Sequence, residues 1–166
     1  GYKVAICEQG EVIQGSKDIV ARKVTRIITP GTVLDESLLS ERKTNYMCAL
    51  YKEGEKSGIT LCELSTGHII TTSFSEDERS LKLIEEIYRY KPVEAVVNRE
   101  AFSDDELKRF SEEHSMRMEL LNDSFFDETL TKKEVYEHFG KKKVDMDSLM
   151  NISTGVLLIY LKQTQH

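Results

Sequence analysis

YMCALYKEGEKSGITLCELSTGHIITTSF, residues 46–74, is the stretch whose reading decides the fold. It opens on YMCALY, a continuous apolar run, the pattern of a strand covered on both faces in the middle of a sheet. Residues 52–57, with Gly54 and Gly58, make a hairpin loop, and residues 59–64 (ITLCEL) alternate in polarity. Ser65-Thr66-Gly67 turns the chain and residues 68–74 return. Sequential strands with short loops form an antiparallel meander.

Downstream the period changes. Ser75 followed by Glu78 has the spacing of a capping box, and Leu81, Ile84, Ile87 and Tyr88 repeat on one helical face until Lys91-Pro92 stops the helix. Residues 93–97 read as a short apolar strand. Ser103 with Glu106 repeats the capping pattern ahead of a helix over 104–112, and residues 116–120 read as a fifth strand. Thr131 with Glu134 gives the same signature before Val135 and Phe139. Gly140 and Lys141-Lys142-Lys143 break the chain, and the last helix runs from about Asp147, burying Met150, Val156, Leu157, Tyr160 and Leu161. Gly155 within it costs about 1 kcal/mol relative to Ala, offset by close packing on the sheet. The order β-β-β-α-β-α-β-α-α predicts an α/β domain: a mixed five-stranded sheet with helices packed on it, the element order of the ribonuclease H-like fold.

Upstream, VARKVTRIITPGT (residues 20–32) is a basic strand of β-branched residues, closed by Pro30, which cannot donate to a ladder, and Gly31, which turns. Val4 and Ile6 mark a short strand ending at Glu8-Gln9, and Gly10 and Gly15 bracket the loop between the two. Two strands are marginal alone, so this piece reads as the remnant of a domain whose main body is missing, and Pro30-Gly31 as a junction turn. Residues 34–43 (LDESLLSERK) read as a linker with a short helical turn.

The 166 residues amount to about one domain by a length prior of ~150 residues. A net charge of −6 argues against a dedicated nucleic-acid clamp. Cys7, Cys48 and Cys62 lie in apolar strand-like stretches without CxxC spacing, so each reads as a small buried hydrophobe in a reducing cytosol. The apolar run 156–161 is far shorter than the ~20 residues that cross a bilayer, and no signal peptide opens the chain. The reading is a soluble, cytoplasmic segment cut from something larger.

A ribonuclease H-like nuclease needs acids converging from strand ends to clamp two metal ions. Residues 46–51 offer none. Glu63, Glu94 and Glu119 are the remaining strand acids: Glu63 precedes a turn whose amides it can bond, and Glu94, at a strand start after Pro92, reads as exposed. Without an acid on the central strand the metal cluster has no anchor. There is no GxxxxGK[ST] for ATP phosphates, no nucleophile elbow, and His68, His114, His138 and His166 share no ligand spacing. The segment reads as non-catalytic, with no cofactor or metal of its own.

Arg22-Lys23-Val24 with Ile27-Ile28-Thr29-Pro30-Gly31-Thr32 resembles the end of the mismatch-binding domain of the MutS family of bacterial DNA mismatch-repair proteins. Gly1 to Gln9 (GYKVAICEQ) resembles that domain's late strand. Leu64-Ser65-Thr66-Gly67 and LLIYLKQTQ, residues 157–165, resemble the connector domain and the helix leaving it. One stretch departs: after Glu-Gln the family has an Asp-Pro and a small-residue loop, where this chain has GEVIQGSKD, residues 10–18.

The resemblance implies a division into residues 1–32 (mismatch-binding remnant), 33–44 (linker), 45–146 (connector) and 147–166 (exit helix toward the lever domain). It implies that the connector relays the nucleotide state of a distant ATPase domain and docks MutL. It further implies a parent protein that uses ATP and magnesium and acts as a homodimer on mismatched duplex DNA. The family's mismatch-reading Phe-x-Glu motif is expected upstream of Gly1, and no such tripeptide stands at a matching place here.

Arg22, Lys23 and Arg26 are candidates for DNA-backbone contacts, although the same charges also protect an edge strand from aggregation. Lys141, Lys142, Lys143, Asp145 and Asp147 form a charged loop before the exit helix, either a partner-docking element or solvated surface. Two alternatives remain beside the connector: a metal-dependent ribonuclease H-like nuclease, and a MutS paralogue acting outside mismatch repair.

Overall fold

The structure is a computed structural model, and it describes residues 2–9, 22–32, 45–75, 79–140 and 145–164. The loop at 10–18, the linker at 34–43, Glu78 of the first capping pattern and Lys141 to Lys143 lie outside the described residues.

The central sheet holds β3 (Tyr46–Glu53), β4 (Lys56–Glu63), β5 (His68–Phe74), β6 (Glu94–Val97) and β7 (Arg117–Leu120) in the order β5-β4-β3-β6-β7. The meander β3-β4-β5 is antiparallel, while β6 and β7 add in parallel on the other side of β3. This is the mixed five-stranded α/β sheet that the element order predicts. Gly54, in the left-handed region at φ 61°, lets β3 and β4 close through a tight turn with Glu53 opposite Lys56.

Helices cover both faces. On one side α1 (Arg79–Tyr90), α2 (Arg99–Ser103) and α3 (Asp105–His114) place Leu83, Ile87, Ala101, Leu107 and Phe110 over Cys48, Leu50, Ile59, Leu61, Ala95 and Val97. On the other, a 3-10 turn at Asp123–Phe126 and α5 (Ser148–Thr164) set Phe126, Ile152, Val156, Leu157 and Tyr160 over Met47, Ala49, Cys62 and Val96. α4 (Glu128–Phe139) lies on the outside of α5, so α5 is enclosed and its residues 152–158 are buried all round. The apolar run near its C-terminus is therefore a buried core helix.

Several sequence expectations are corrected. The helix expected over 104–112 is α3, and a short helix that was not expected, α2, precedes it. Asn98 caps α2 by accepting the Ala101 amide, and Asp104, not Ser103, caps α3 by accepting the Glu106 and Leu107 amides at 3.0 Å. Asp127 caps α4 by accepting the Leu130 amide at 2.8 Å, which leaves Thr131 inside the helix and buried. In both places a nearby Asp carboxylate, one residue after Ser103 and four before Thr131, takes the cap in place of the capping-box hydroxyl. Leu83 rather than Tyr88 completes the buried face of α1, and Phe139 is exposed although Val135 is buried. Cys48 and Cys62 are buried as expected, but Cys7 is exposed: among the described residues no helix or sheet covers the hairpin strand that carries it. Gly155 packs tightly, but on Thr131 of α4 rather than on the sheet.

β1 (Val4–Gln9) and β2 (Arg22–Ile28) form a separate antiparallel hairpin. Ile6 faces Arg26 and Cys7 faces Val24, so Thr25 is an extra residue that bulges β2. A short 3-10 turn, Pro30–Thr32, leads from the hairpin to the sheet.

Candidate functional site: the junction between hairpin and sheet

The junction is built from Thr29-Pro30-Gly31-Thr32. Thr32 folds back so that its hydroxyl accepts the Thr29 amide at 2.8 Å, and its own amide donates to the Thr29 carbonyl at 3.0 Å. Pro30 suits the first position of a helical turn, where its missing N–H is not needed, and its carbonyl accepts from the Asn45 side chain at 3.1 Å. Both threonines are buried, so this turn is part of the packed body.

Gly31 is the contact point. Its amide donates to Oε2 of Glu94 at 2.8 Å, and a Cβ there would stand 2.7 Å from the Met47 Cβ and 2.9 Å from Glu94 Oε2. No side chain fits, so glycine at this position is a matter of approach distance.

Glu94 is fully buried at the start of β6, which overturns the expectation of an exposed strand-end acid. β6 lies between two parallel neighbours with helices on both faces, so even its first residue is inside. A buried carboxylate needs partners, and it has them. Besides the Gly31 amide, Oε1 receives the Arg117 guanidinium at 2.6 Å and the Tyr160 hydroxyl at 2.9 Å. Arg117 enters from β7, directly opposite Glu94 in register, and Tyr160 from α5.

The network continues outward. The other arm of Arg117 pairs with Glu119, whose Oε1 receives Lys3 Nζ at 2.8 Å, and Tyr160 also reaches Glu119 at 3.4 Å. Lys3 lies 5.7 Å from the centroid of the Tyr160 ring. Two carboxylates are thus balanced by two cations, and the links join hairpin, junction turn, β6, β7 and exit helix.

The electrostatics follow from this packing. Burial alone would raise the Glu119 carboxyl, but hydrogen bonds from Lys3 and Arg117 outweigh it and hold it below the ordinary value of 4.5. Burial, then the adjacent Glu94 and Glu119 charges, push the Tyr160 phenol up, so it stays a hydrogen-bond donor at neutral pH. A carboxyl depressed in the folded state contributes stability above its ordinary value and loses it as pH falls through the folded value. The urea midpoint is therefore expected to fall below about pH 4.5, and to fall less steeply in Lys3→Met, which removes one of the depressing partners. Equal acid profiles for the two chains would refute this assignment.

The other predicted residues are placed as follows. The backbones of Arg22 and Lys23 pair with Gln9 and Glu8 in the hairpin, and their side chains lie outside the described residues. Arg26 is exposed, opposite Ile6. Asp145 is exposed, whereas Asp147 caps α5 by accepting the Met150 amide at 2.9 Å and also accepts the Ser73 hydroxyl. Glu63 receives the hydroxyls of Ser65 and Thr66, so it serves its turn through side chains rather than amides. His68, His114 and His138 are exposed, and the His114 ring stacks on Phe110 at 4.2 Å. Among the described residues no three His, Cys, Asp or Glu side chains group as metal ligands would, and no helix is long and apolar enough to cross a membrane.

Glu94 and Glu119, two of the acids considered for metal binding, do converge, but on Arg117, Lys3 and Tyr160. The parts of this network that sequence reasoning missed are Lys3, Arg117 and Tyr160. One signal was available: an acid inside a strand too short and apolar to have an exposed face must be buried and so must find a cation.

The halves joined here correspond to separate family models. Residues 1–37 match the model for MutS domain I, and residues 45–166 match the model for MutS domain II. The chain belongs to the MutS family. Among similar proteins, the DNA mismatch repair protein MutS of Acetivibrio thermocellus is 38% identical over 169 residues, covering 99% of this chain and 19% of that protein. That of Clostridioides difficile is 39% identical over 170 residues, covering 99% and 17%. That of Methanosarcina acetivorans is 36% identical over 181 residues, covering 99% and 20%. The chain therefore spans about a fifth of the length of the curated relatives it matches. Within the MutS frame, the junction network lies where the domain I match gives way to domain II.

Proposed function

We propose that this chain is the connector segment of a DNA mismatch repair protein, holding the mismatch-binding domain in register with the lever and ATPase domains and offering a docking surface to MutL. The observation that carries the reading is the junction itself. The turn leaving the hairpin, the neighbouring strand β7 and the exit helix all bond to one buried carboxylate, Glu94 of β6. A segment built to transmit position needs such a stiff link, because a flexible linker would lose displacement in its own freedom.

The segment is mechanical rather than catalytic in this reading. The two acids that converge are already occupied by cations and a phenol, so accepting a divalent ion would require breaking those bonds. ATP and magnesium belong to the parent protein, as do the homodimer, the cytoplasmic location and the grip on mismatched duplex DNA. Exposed Arg26, with Arg22 and Lys23 in the same strand, adds at most a salt-dependent backbone contact.

The test is titration calorimetry of the purified chain with MutL from the same organism, beside homoduplex and mismatched DNA. Saturable MutL binding with weak, salt-sensitive DNA binding is the expected result, and charge reversal at Lys141, Lys142 and Lys143 should weaken it if that loop contributes. Tight mismatch-selective DNA binding without MutL affinity would sink the reading and make the basic strand the main site.

A further inference from the structure

We infer that Tyr160 is a positioning residue through which the exit helix controls the grip of the sheet on the Pro30–Thr32 turn, with Glu94 as the shared carboxylate. The inference rests on the connector reading and names the device that would do its work.

Glu94 has two oxygens and uses them for different clients. Oε2 holds the Gly31 amide, and Oε1 holds both the Arg117 guanidinium and the Tyr160 hydroxyl. A carboxylate is planar, so fixing Oε1 fixes where Oε2 points. Arg117 alone does not define that plane, since its other arm is committed to Glu119. Tyr160 supplies the second constraint. It is the member of the network that comes from α5, whereas Glu94 and Arg117 come from the sheet.

A shift of α5 that withdraws the hydroxyl frees the carboxylate to rotate, and the Gly31 amide loses its acceptor. The close approach makes the response sharp. With the Gly31 Cα packed on Met47 and Glu94, the turn has no room to follow a rotated carboxylate. Both ends of the device thus bond to one side chain, and coupling needs no longer path.

Amide hydrogen exchange of the 166-residue chain, read residue by residue by NMR, tests this. Tyr160→Phe keeps the ring and removes the hydroxyl. It is expected to speed exchange of the Gly31 amide roughly tenfold, the size set by losing a hydrogen bond to a charged group, and to leave the Leu50 amide in the central strand unchanged. Glu94→Gln is expected to speed Gly31 exchange at least as much. Ser148→Ala, on the exposed start of α5, is expected to change neither amide. Unchanged Gly31 exchange in Tyr160→Phe would overturn the proposal, as would an equal rise at Gly31 and Leu50, which signals lost global stability. So would Gly31 exchange indifferent to Glu94→Gln. None of these readings depends on MutL, so the inference can fail while the connector function stands, and the reverse.

Discussion

Glu94→Ala is expected to lower the unfolding free energy of this chain by about 3–5 kcal/mol, the usual consequence of removing one member of a buried ion pair. The size follows from what is left behind. The carboxylate is wholly buried and serves the Gly31 amide, Arg117 and Tyr160. Without it, Arg117 keeps only the Glu119 partner, the Tyr160 hydroxyl keeps only its longer 3.4 Å contact to Glu119, and the buried Gly31 amide loses its carboxylate acceptor. Against a typical domain stability of about 5–15 kcal/mol such a loss brings the chain close to the edge of folding.

Urea denaturation gives the measurement, with an unchanged slope as evidence that the unfolded state is not the cause. Glu94→Gln is the informative companion. It retains the volume and one acceptor oxygen, but turns an amide N–H toward either Gly31 or Arg117, so it should fall between Glu94→Ala and the parent chain. If Glu94→Ala stays within about 0.5 kcal/mol of the parent, the size of an ordinary surface change, the carboxylate is not the anchor described here.

The fold was legible because its signals are local. The apolar run 46–51, the alternation after Gly58 and the change to helical period each follow from backbone geometry, and they suffice for the five strands and the fold class, though not for the short helix α2. Pro30-Gly31 was readable as a junction for the same reason: proline and glycine announce themselves. What that turn docks against was not readable, because Gly31 and Glu94 are far apart in sequence and meet only when β6 enters the sheet. Glu94 looked like a strand-end acid, and only the parallel neighbours and the helices on both faces make its position interior. The caps went wrong on a finer scale. Ser103 and Thr131 fit the capping-box spacing, yet Asp104 and Asp127 take the work, since a carboxylate offers the amides a charged acceptor. Sequence periodicity sees one chain segment at a time; the junction is a meeting of five.

Gly155→Ala tests the other tight contact, and here two effects of opposite sign compete. Alanine in mid-helix is better than glycine by about 1 kcal/mol, so propensity alone predicts a gain. Packing predicts a loss. A Cβ at Gly155 would lie 2.4 Å from the Thr131 Cβ, 2.5 Å from its Cα and 2.6 Å from its carbonyl oxygen. Two of those atoms are backbone, and Thr131 is pinned within the first turns of α4 by its hydroxyl, which donates to the Asp127 carbonyl at 2.9 Å. No rotamer change relieves the clash, so α4 must move off α5 as a unit. Overpacking of this kind typically costs about 1–3 kcal/mol, and with backbone on the far side the upper part of that range applies. The net expectation is a loss of about 2 kcal/mol after the propensity gain, read as a lower urea midpoint. Adding Thr131→Gly should recover little of it, because the Cα and carbonyl contacts remain. A neutral or stabilised Gly155→Ala would mean that α4 sits loosely on α5 and that propensity decides.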